Sequence, residues 1–262
     1  MDYRKMTEVD IHLNLLAGNS FFIDNLEIKP FTLKEITEYG YENYLTSIQS
    51  LFIEKHDFTA TMEDRKVQII EEQAGAVGKN TVFDYYIKYA DKQFLGLLGE
   101  AFTLLFRTDD VRIKDDTILI DSLKRKDGSE PLNIISRDNF DFIVEIIKLQ
   151  NGIALKNEED IMRPKDERAR KLIEKMEANK RKLEAKKQAQ GEGNQFPFND
   201  IVSAITTRSN SINKFNIWTL TIYQIYDEFE RINAIEGYQT SLESMMHGAK
   251  IDDLKHWASK LS

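Results

Sequence analysis

Acidic side chains are the first residues in this sequence whose types and spacing suggest chemistry. Carboxylates that follow short strands or helix ends can hold Mg²⁺ and support metal-dependent hydrolysis. Five aspartates lie close together in the chain: Asp109, Asp110, Asp115, Asp116 and Asp121. Aspartate in a turn more often accepts hydrogen bonds from its own backbone. We therefore predict a turn here and keep a metal-dependent hydrolase as the third functional hypothesis.

The other residue patterns typical of catalysis are incomplete. The chain contains four histidines: His12, His56, His247 and His256. None lies three or four residues from another, as two metal ligands on one helix face would. Residues 75–81 contain glycine, lysine and threonine without the spacing of a phosphate-binding loop, which indicates a connector between helices. With no cysteine and no G-x-S-x-G motif, we predict no catalytic residue, no metal ligand, no cofactor and no enzyme activity.

Residues 163–187 form a basic segment in an acidic chain. Eleven Lys and Arg against five Asp and Glu give this segment a net charge of +6, so the chain total of −8 leaves −14 elsewhere. The segment predicts contact with nucleic acid or an acidic protein surface. The predicted contact residues are Lys175, Lys180, Arg181 and Lys182. Because both signs of charge are interspersed, a solvated helix with ion pairs four residues apart is the favoured alternative.

The strongest periodic signal lies near the C-terminus. Apolar residues recur there at intervals of three and four: Phe215, Trp218, Ile222, Ile225, Phe229 and Ile232. This spacing predicts a helix of about five turns that needs another apolar surface. A further helical segment is predicted over 239–260, interrupted at Gly248. Aromatic residues on and beside this periodic set are the predicted partner-binding residues: Trp218, Tyr223, Tyr226, Phe229 and Trp257.

Several shorter elements must position these residues. Residues 20–29 predict one strand, with Phe22, Leu26 and Ile28 on one side. Thr32 and Glu35 have the spacing of a capping box, which predicts a helix to about His56.

The middle of the chain adds two predicted helices, over 64–74 and over 82–106, the second capped by Thr81. Two short strands are predicted within 110–121, and Ser136 and Gly152 are predicted to bound the next helix.

Composition limits the class of protein. The chain has 262 residues, with 31% charged residues and four prolines. It has no apolar run long enough for a membrane span and no apolar segment typical of a secretory signal. We predict a mainly α (α+β) protein with an N-terminal helical domain that includes a few short strands. The predicted divisions are an N-terminal arm (1–19), an α+β domain (20–162), a charged basic helix (163–189), a flexible linker (190–198) and a C-terminal helical module (199–262).

Two stretches carry a family resemblance. The first is IKPFTLKEI at 28–36, followed by Gly40, Tyr44 and Leu51. The second begins at Ile201 and includes WTLTIYQIYDEFERI at 218–232 and GAKIDDLKHW at 248–257. Together they resemble phage tail-morphogenesis proteins, particularly tail assembly chaperone-like and small tail proteins of phages that infect Gram-positive bacteria. About a third of the chain is covered.

This resemblance implies a non-enzymatic role in virion assembly and brings no catalytic residues with it. The implied function is phage tail assembly or tail structure through protein–protein binding. The expected partners are phage tail proteins, either tape measure or tail tube, or a second copy of the chain, with no membrane. The expected location is the host cytoplasm during assembly, with the virion as the alternative. A nucleic-acid-associated phage factor that uses residues 163–187 is the second hypothesis, although overall acidity disfavours nucleic-acid binding.

Overall fold

A computed structural model describes residues 1–53, 81–89, 92–114, 116–121, 133–153, 196–251, 254 and 256–259. The chain divides into two compact units. The first contains Met1–Ile153 and Lys214–Glu228, and the second contains Ala154–Asn213 and Phe229–Ser262. The described residues form eight α-helices and two small antiparallel sheets, which confirms the mainly helical α+β class. The predicted helix at 64–74 lies outside the described residues.

The first unit contains most of these elements. Its helices are α1 (Glu8–Ala17), α2 (Leu33–Tyr39), α3 (Tyr41–Gln49), α4 (Val82–Tyr89), α5 (Lys92–Phe106) and α6 (Phe140–Gln150). Its strands are β1 (Phe21–Ile23), β2 (Leu26–Ile28), β3 (Val111–Lys114), β4 (Thr117–Ile120) and β5 (Asn133–Ile135). The second unit contains α7 (Phe198–Arg208), and α8 (Ile222–Met246) begins in the first unit and ends in the second. Among the described residues, no helix combines the length and apolar composition needed to cross a membrane.

The predicted single strand at 20–29 is a hairpin instead. β1 and β2 pair antiparallel, with Phe21 opposite Ile28, and Asp24 takes a positive φ of 53° in the turn. The side chains of Phe21 and Ile28 are buried, whereas Phe22 is exposed. The prediction that Phe22 lies on the same side as Leu26 and Ile28 is therefore wrong, because the turn reverses the chain and changes which residues share a face.

The capping box at Thr32 is confirmed, but the long helix predicted after it is wrong. The Glu35 backbone N–H donates to the Thr32 hydroxyl at 3.3 Å, and the Thr32 backbone N–H donates to the Glu35 carboxylate at 2.8 Å. Gly40 ends α2 and precedes α3, with a φ of +98° that side chains rarely adopt. α3 then ends at Gln49, and His56 lies outside the described residues.

An aromatic cluster lies in the core of the first unit. Phe140 is 1% exposed at the start of α6. Its ring centroid lies 5.2 Å from that of Phe83 and 5.3 Å from that of Tyr86, both on α4. The ring of Phe102 on α5 completes the cluster, 6.4 Å from Phe140. These contacts join three helices, and aromatic pairs at such distances stabilise a core beyond the area that they bury.

The predicted strand pair within 110–121 is confirmed. β3 and β4 pair with Ile113 opposite Ile118. A third strand that was not expected from the sequence, β5, pairs with β4, with Ile118 opposite Ile135. The predicted helix start at Ser136 is wrong, because a turn occupies 137–139 and α6 begins at Phe140. The Ser136 backbone carbonyl accepts from the Phe140 N–H in this turn.

The predicted end of that helix is confirmed at Gly152. Its φ of +68° is the left-handed conformation expected immediately after a helix C-terminus.

An ion pair between a buried carboxylate and a partly exposed guanidinium connects α4 to the turn before α6. Asp84 is buried, and its carboxylate lies 2.6 Å from the Arg137 guanidinium. The same carboxylate accepts from the backbone N–H and the hydroxyl of Thr81, which is the predicted helix cap. Burial acts to raise the pKa of Asp84, but the hydrogen bonds from Arg137 and Thr81 together lower it below its ordinary value.

We expect the Asp84→Asn substitution to lower the free energy of unfolding by about 2 kcal/mol at pH 7, because hydrogen bonds to a charged group are lost. The folded pKa lies below the unfolded value of about 3.9. The carboxylate therefore stabilises the fold above about pH 4, and this contribution is lost as the pH falls through the folded pKa. Urea unfolding at pH 7 and pH 3 measures the effect. The exposed Asp109→Asn is the control, and an equal Asp84→Asn effect at both pH values would contradict the expectation.

The second unit shows where the C-terminal predictions need correction. α7 begins directly after Pro197, and its Ile201 and Ile205 side chains are buried. The prediction that a separate helical segment begins at residue 239 is wrong, because α8 continues without a break to Met246. Residues 215 and 218 precede α8, so the periodic set extends beyond the helix that it predicted.

Candidate partner-binding site

The start of α8 is determined by a local hydrogen-bond pair. The Thr221 backbone N–H donates to the Gln224 side-chain oxygen at 2.8 Å. In return, the Gln224 backbone N–H donates to the Thr221 hydroxyl at 3.3 Å. This reciprocal Thr-x-x-Gln arrangement is a capping box, and it was not recognised from the sequence although its spacing is visible there.

Longer-range hydrogen bonds hold residues 214–228 within the first unit. The Leu33 backbone N–H donates to the Leu220 carbonyl at 2.8 Å, next to an antiparallel bridge between Thr32 and Thr221. The Gln224 side-chain amide donates to the Leu16 carbonyl at 2.7 Å, at the C-terminal end of α1. Gln224 therefore caps its own helix and also satisfies a carbonyl at the end of another.

Two glycines allow close approach of the same segment. Gly18 and Gly152 both have φ values of +68°. A Cβ at Gly18 would lie 3.3 Å from the Gln224 amide nitrogen, and one at Gly152 would lie 2.9 Å from the Tyr226 ring. Glycine is thus needed at 152 for two reasons, namely its backbone conformation and the space taken by the aromatic ring.

The predicted binding residues Tyr223 and Tyr226 both lie in the first unit. The Tyr223 hydroxyl lies 3.2 Å from His12 Nδ1 on α1. Tyr226 is half-buried, and this burial raises the pKa of its phenol. Burial, followed by the neighbouring Tyr226 and Glu42, raises the pKa of Tyr41 to about 12. Tyr223 and Tyr226 therefore have contacts within the chain in addition to their predicted role in binding.

The other three predicted binding residues differ in their surroundings. Trp218, in the first unit, is 39% exposed, and its indole N–H donates to the Lys214 carbonyl at 2.8 Å. Phe229, in the second unit, is half-buried with its ring edge-to-face against Phe196 at 5.8 Å. Trp257, also in the second unit, is exposed. The structure thus places two exposed tryptophans in different units.

A further apolar surface lies on α1 and was not predicted. Val9, Leu13 and Leu16 are 67%, 58% and 44% exposed, whereas Leu15 is buried. The spacing of the three exposed residues, four and then three, places them on one face of the helix. This spacing is a signal that could have identified the surface, which we call the α1 apolar face.

The remaining candidate residues are the aspartates within 109–121 and the predicted basic contact residues. Asp121 accepts a hydrogen bond from the Thr108 hydroxyl, and Asp110 lies 2.8 Å from Arg112. Asp115 lies outside the described residues. Within the part of the chain that is described, no three His, Cys, Asp or Glu side chains group as metal ligands would. The basic residues Lys175, Lys180, Arg181 and Lys182 also lie outside the described residues, so their role stays a prediction.

Comparison with known protein families gives a match for the C-terminal part of the chain. Residues 186–262 match the family described as the YomV second domain. This match relates the C-terminal part of the chain to a phage-derived protein family. All five predicted partner-binding residues lie within the matched range. No curated protein and no solved structure matches the chain significantly.

Proposed function

We propose that this protein is a non-enzymatic phage tail assembly or tail structural protein that acts by protein–protein binding. The relation of residues 186–262 to a phage-derived family supports the phage part of this proposal. The resemblance of residues 28–36 and 218–257 to tail-morphogenesis proteins supports the tail part. Such a protein would work in the host cytoplasm during assembly or remain in the virion.

The observation that carries the binding proposal is that α1 is apolar on two faces. Leu13 and Leu15 are two residues apart, which separates their side chains by roughly 200° around an α-helix. Leu15 packs into the first unit, and Leu13 points away from it with Val9 and Leu16 as neighbours. A surface helix normally needs only one apolar face, and contiguous exposed apolar side chains are typical of interaction sites.

The charges of α1 indicate which partner would fit its apolar face. The helix sequence is EVDIHLNLLA, which includes Glu8 and Asp10 but no Lys or Arg. A helix that packs along Val9, Leu13 and Leu16 would be favoured by basic residues beside its own apolar residues. We therefore propose a helical segment of a tail protein, either tape measure or tail tube, with an apolar stripe flanked by Lys or Arg.

We expect the Leu13→Glu substitution to weaken binding to the purified tape-measure or tail-tube protein of the same phage by at least about tenfold. The reason is that the buried leucine contributes roughly 1.5–3 kcal/mol and a buried unpaired carboxylate opposes binding. Isothermal titration calorimetry measures the affinity.

Leu97→Glu is the matched control, because Leu97 is an exposed leucine on α5. Circular dichroism checks that both variants fold. The proposal fails if the unsubstituted chain binds neither protein, or if Leu13→Glu and Leu97→Glu bind equally well.

A further inference from the structure

Residues 214–228 lie both in the family-matched C-terminal range and in the first compact unit. They lie inside the range 186–262 that matches the phage-derived family. They are nevertheless part of the first compact unit, which otherwise ends at Ile153. The chain therefore leaves the first unit after Ile153, returns at Lys214 and leaves again after Glu228 along α8.

The returning segment contributes to the core of the first unit. Ile217 and Ile225 are fully buried, and Thr221 and Ile222 are nearly so. If the segment were removed, the side chains of the first unit that pack against these residues would lose apolar contact and become exposed to water. The segment is therefore different from a covering loop, whose removal would leave the core intact.

We propose that residues 214–228 are a docking segment that holds the family-matched C-terminal region to the first unit without need of the covalent connection through 154–213. The docking surface consists of the C-terminal end of α1, residues 32–33 and Gly152. The segment that occupies this surface is the start of α8. It combines the capping box of Thr221 and Gln224 with the apolar Ile225 and the aromatic Tyr226.

Three kinds of contact in the first unit support this proposal. Hydrogen bonds from Leu33 to the Leu220 carbonyl and from Gln224 to the Leu16 carbonyl determine the register of the segment. The buried Ile225 supplies apolar contact. Gly152 accommodates the Tyr226 ring at a distance that a side chain would not allow. Register, apolar burial and shape are independent features, and together they are typical of a specific interface.

The test uses the full chain with a specific protease site inserted within 190–195, part of the predicted linker. After folding, cleavage divides the chain into an N-terminal and a C-terminal fragment that includes 214–228. We expect the fragments to elute together from a size-exclusion column at micromolar concentration. Separation of the fragments of the unsubstituted protein under these conditions would overturn the proposal.

Two substitutions distinguish docking by this segment from any other association. Gln224→Ala removes both the cap and the bond to Leu16, and we expect about tenfold weaker fragment association. Ile225→Asp buries a charge, and we expect the fragments to separate after cleavage. Gln239→Ala, an exposed glutamine later in α8, is the control and leaves association unchanged. The proposal is also overturned if Gln224→Ala associates as tightly as Gln239→Ala.

Discussion

Replacement of Phe140 by alanine is expected to lower the free energy of unfolding by about 4 kcal/mol. The ring is 1% exposed and contacts the rings of Phe83, Tyr86 and Phe102. Its removal leaves a cavity at the point where α4, α5 and α6 meet, and the three remaining rings cannot all move to fill it. Urea unfolding followed by circular dichroism measures the change.

Phe22→Ala is the control for this substitution. Phe22 has the same side chain but is exposed on β1, so we expect a loss below about 1 kcal/mol. Phe140→Leu should lie between the two, because it retains part of the buried volume. Equal effects of Phe140→Ala and Phe22→Ala would show that the aromatic cluster is not the core of the first unit.

The Gly152→Ala substitution is expected to lower the free energy of unfolding by about 3 kcal/mol. The left-handed backbone conformation, with φ of +68°, costs an alanine about 1 kcal/mol. The added Cβ would also lie 2.9 Å from the Tyr226 ring, and such overpacking costs roughly 1–3 kcal/mol. Urea unfolding of the full chain measures the sum of the two contributions.

Gly248→Ala separates these contributions. Gly248 also has a positive φ, of +93°, but no atom lies within 4 Å of a Cβ there, so we expect a loss of about 1 kcal/mol. In a Tyr226→Ala background, the cost of Gly152→Ala should fall to the same value, because the ring is absent. An unchanged cost of Gly152→Ala in that background would mean that the contact with Tyr226 contributes nothing.

Much of the local structure was predictable because it depends on residues close in sequence. The capping box at Thr32, the strand pair β3–β4 and the helix end at Gly152 each follow from side chains or backbone conformations within a few residues. Local structure also accounts for wrong predictions. Gly40 lies inside the helix predicted to extend to about His56, whereas its backbone conformation, with φ of +98°, ends α2 and makes α3 a separate helix.

The candidate site was predicted only in part. Tyr223 and Tyr226 were selected because they lie beside the periodic apolar set, but nothing in that set indicates His12 or Gly152 as their neighbours. The exposed side of α1 was not predicted, because the sequence shows apolar residues at 9, 11, 13, 15 and 16. Their spacing places 9, 13 and 16 on one face but does not show that this face is the uncovered one. Burial depends on the elements that pack against a helix, and those elements come from distant parts of the chain.

The amino-acid sequence by itself determined the helical class, the capping box at Thr32, the strand pair within 110–121 and the contrast between an acidic chain and its basic segment. These properties depend on composition and on contacts between near neighbours. Only the tertiary structure decided that residues 214–228 belong to the core of the first unit and that Leu13 faces outward. The hydrogen bonds between Gln224 and Leu16 and between Tyr44 and Asn151 join residues far apart in the chain. Such pairs form only when the whole unit folds, because no local spacing specifies which distant residue will be the partner.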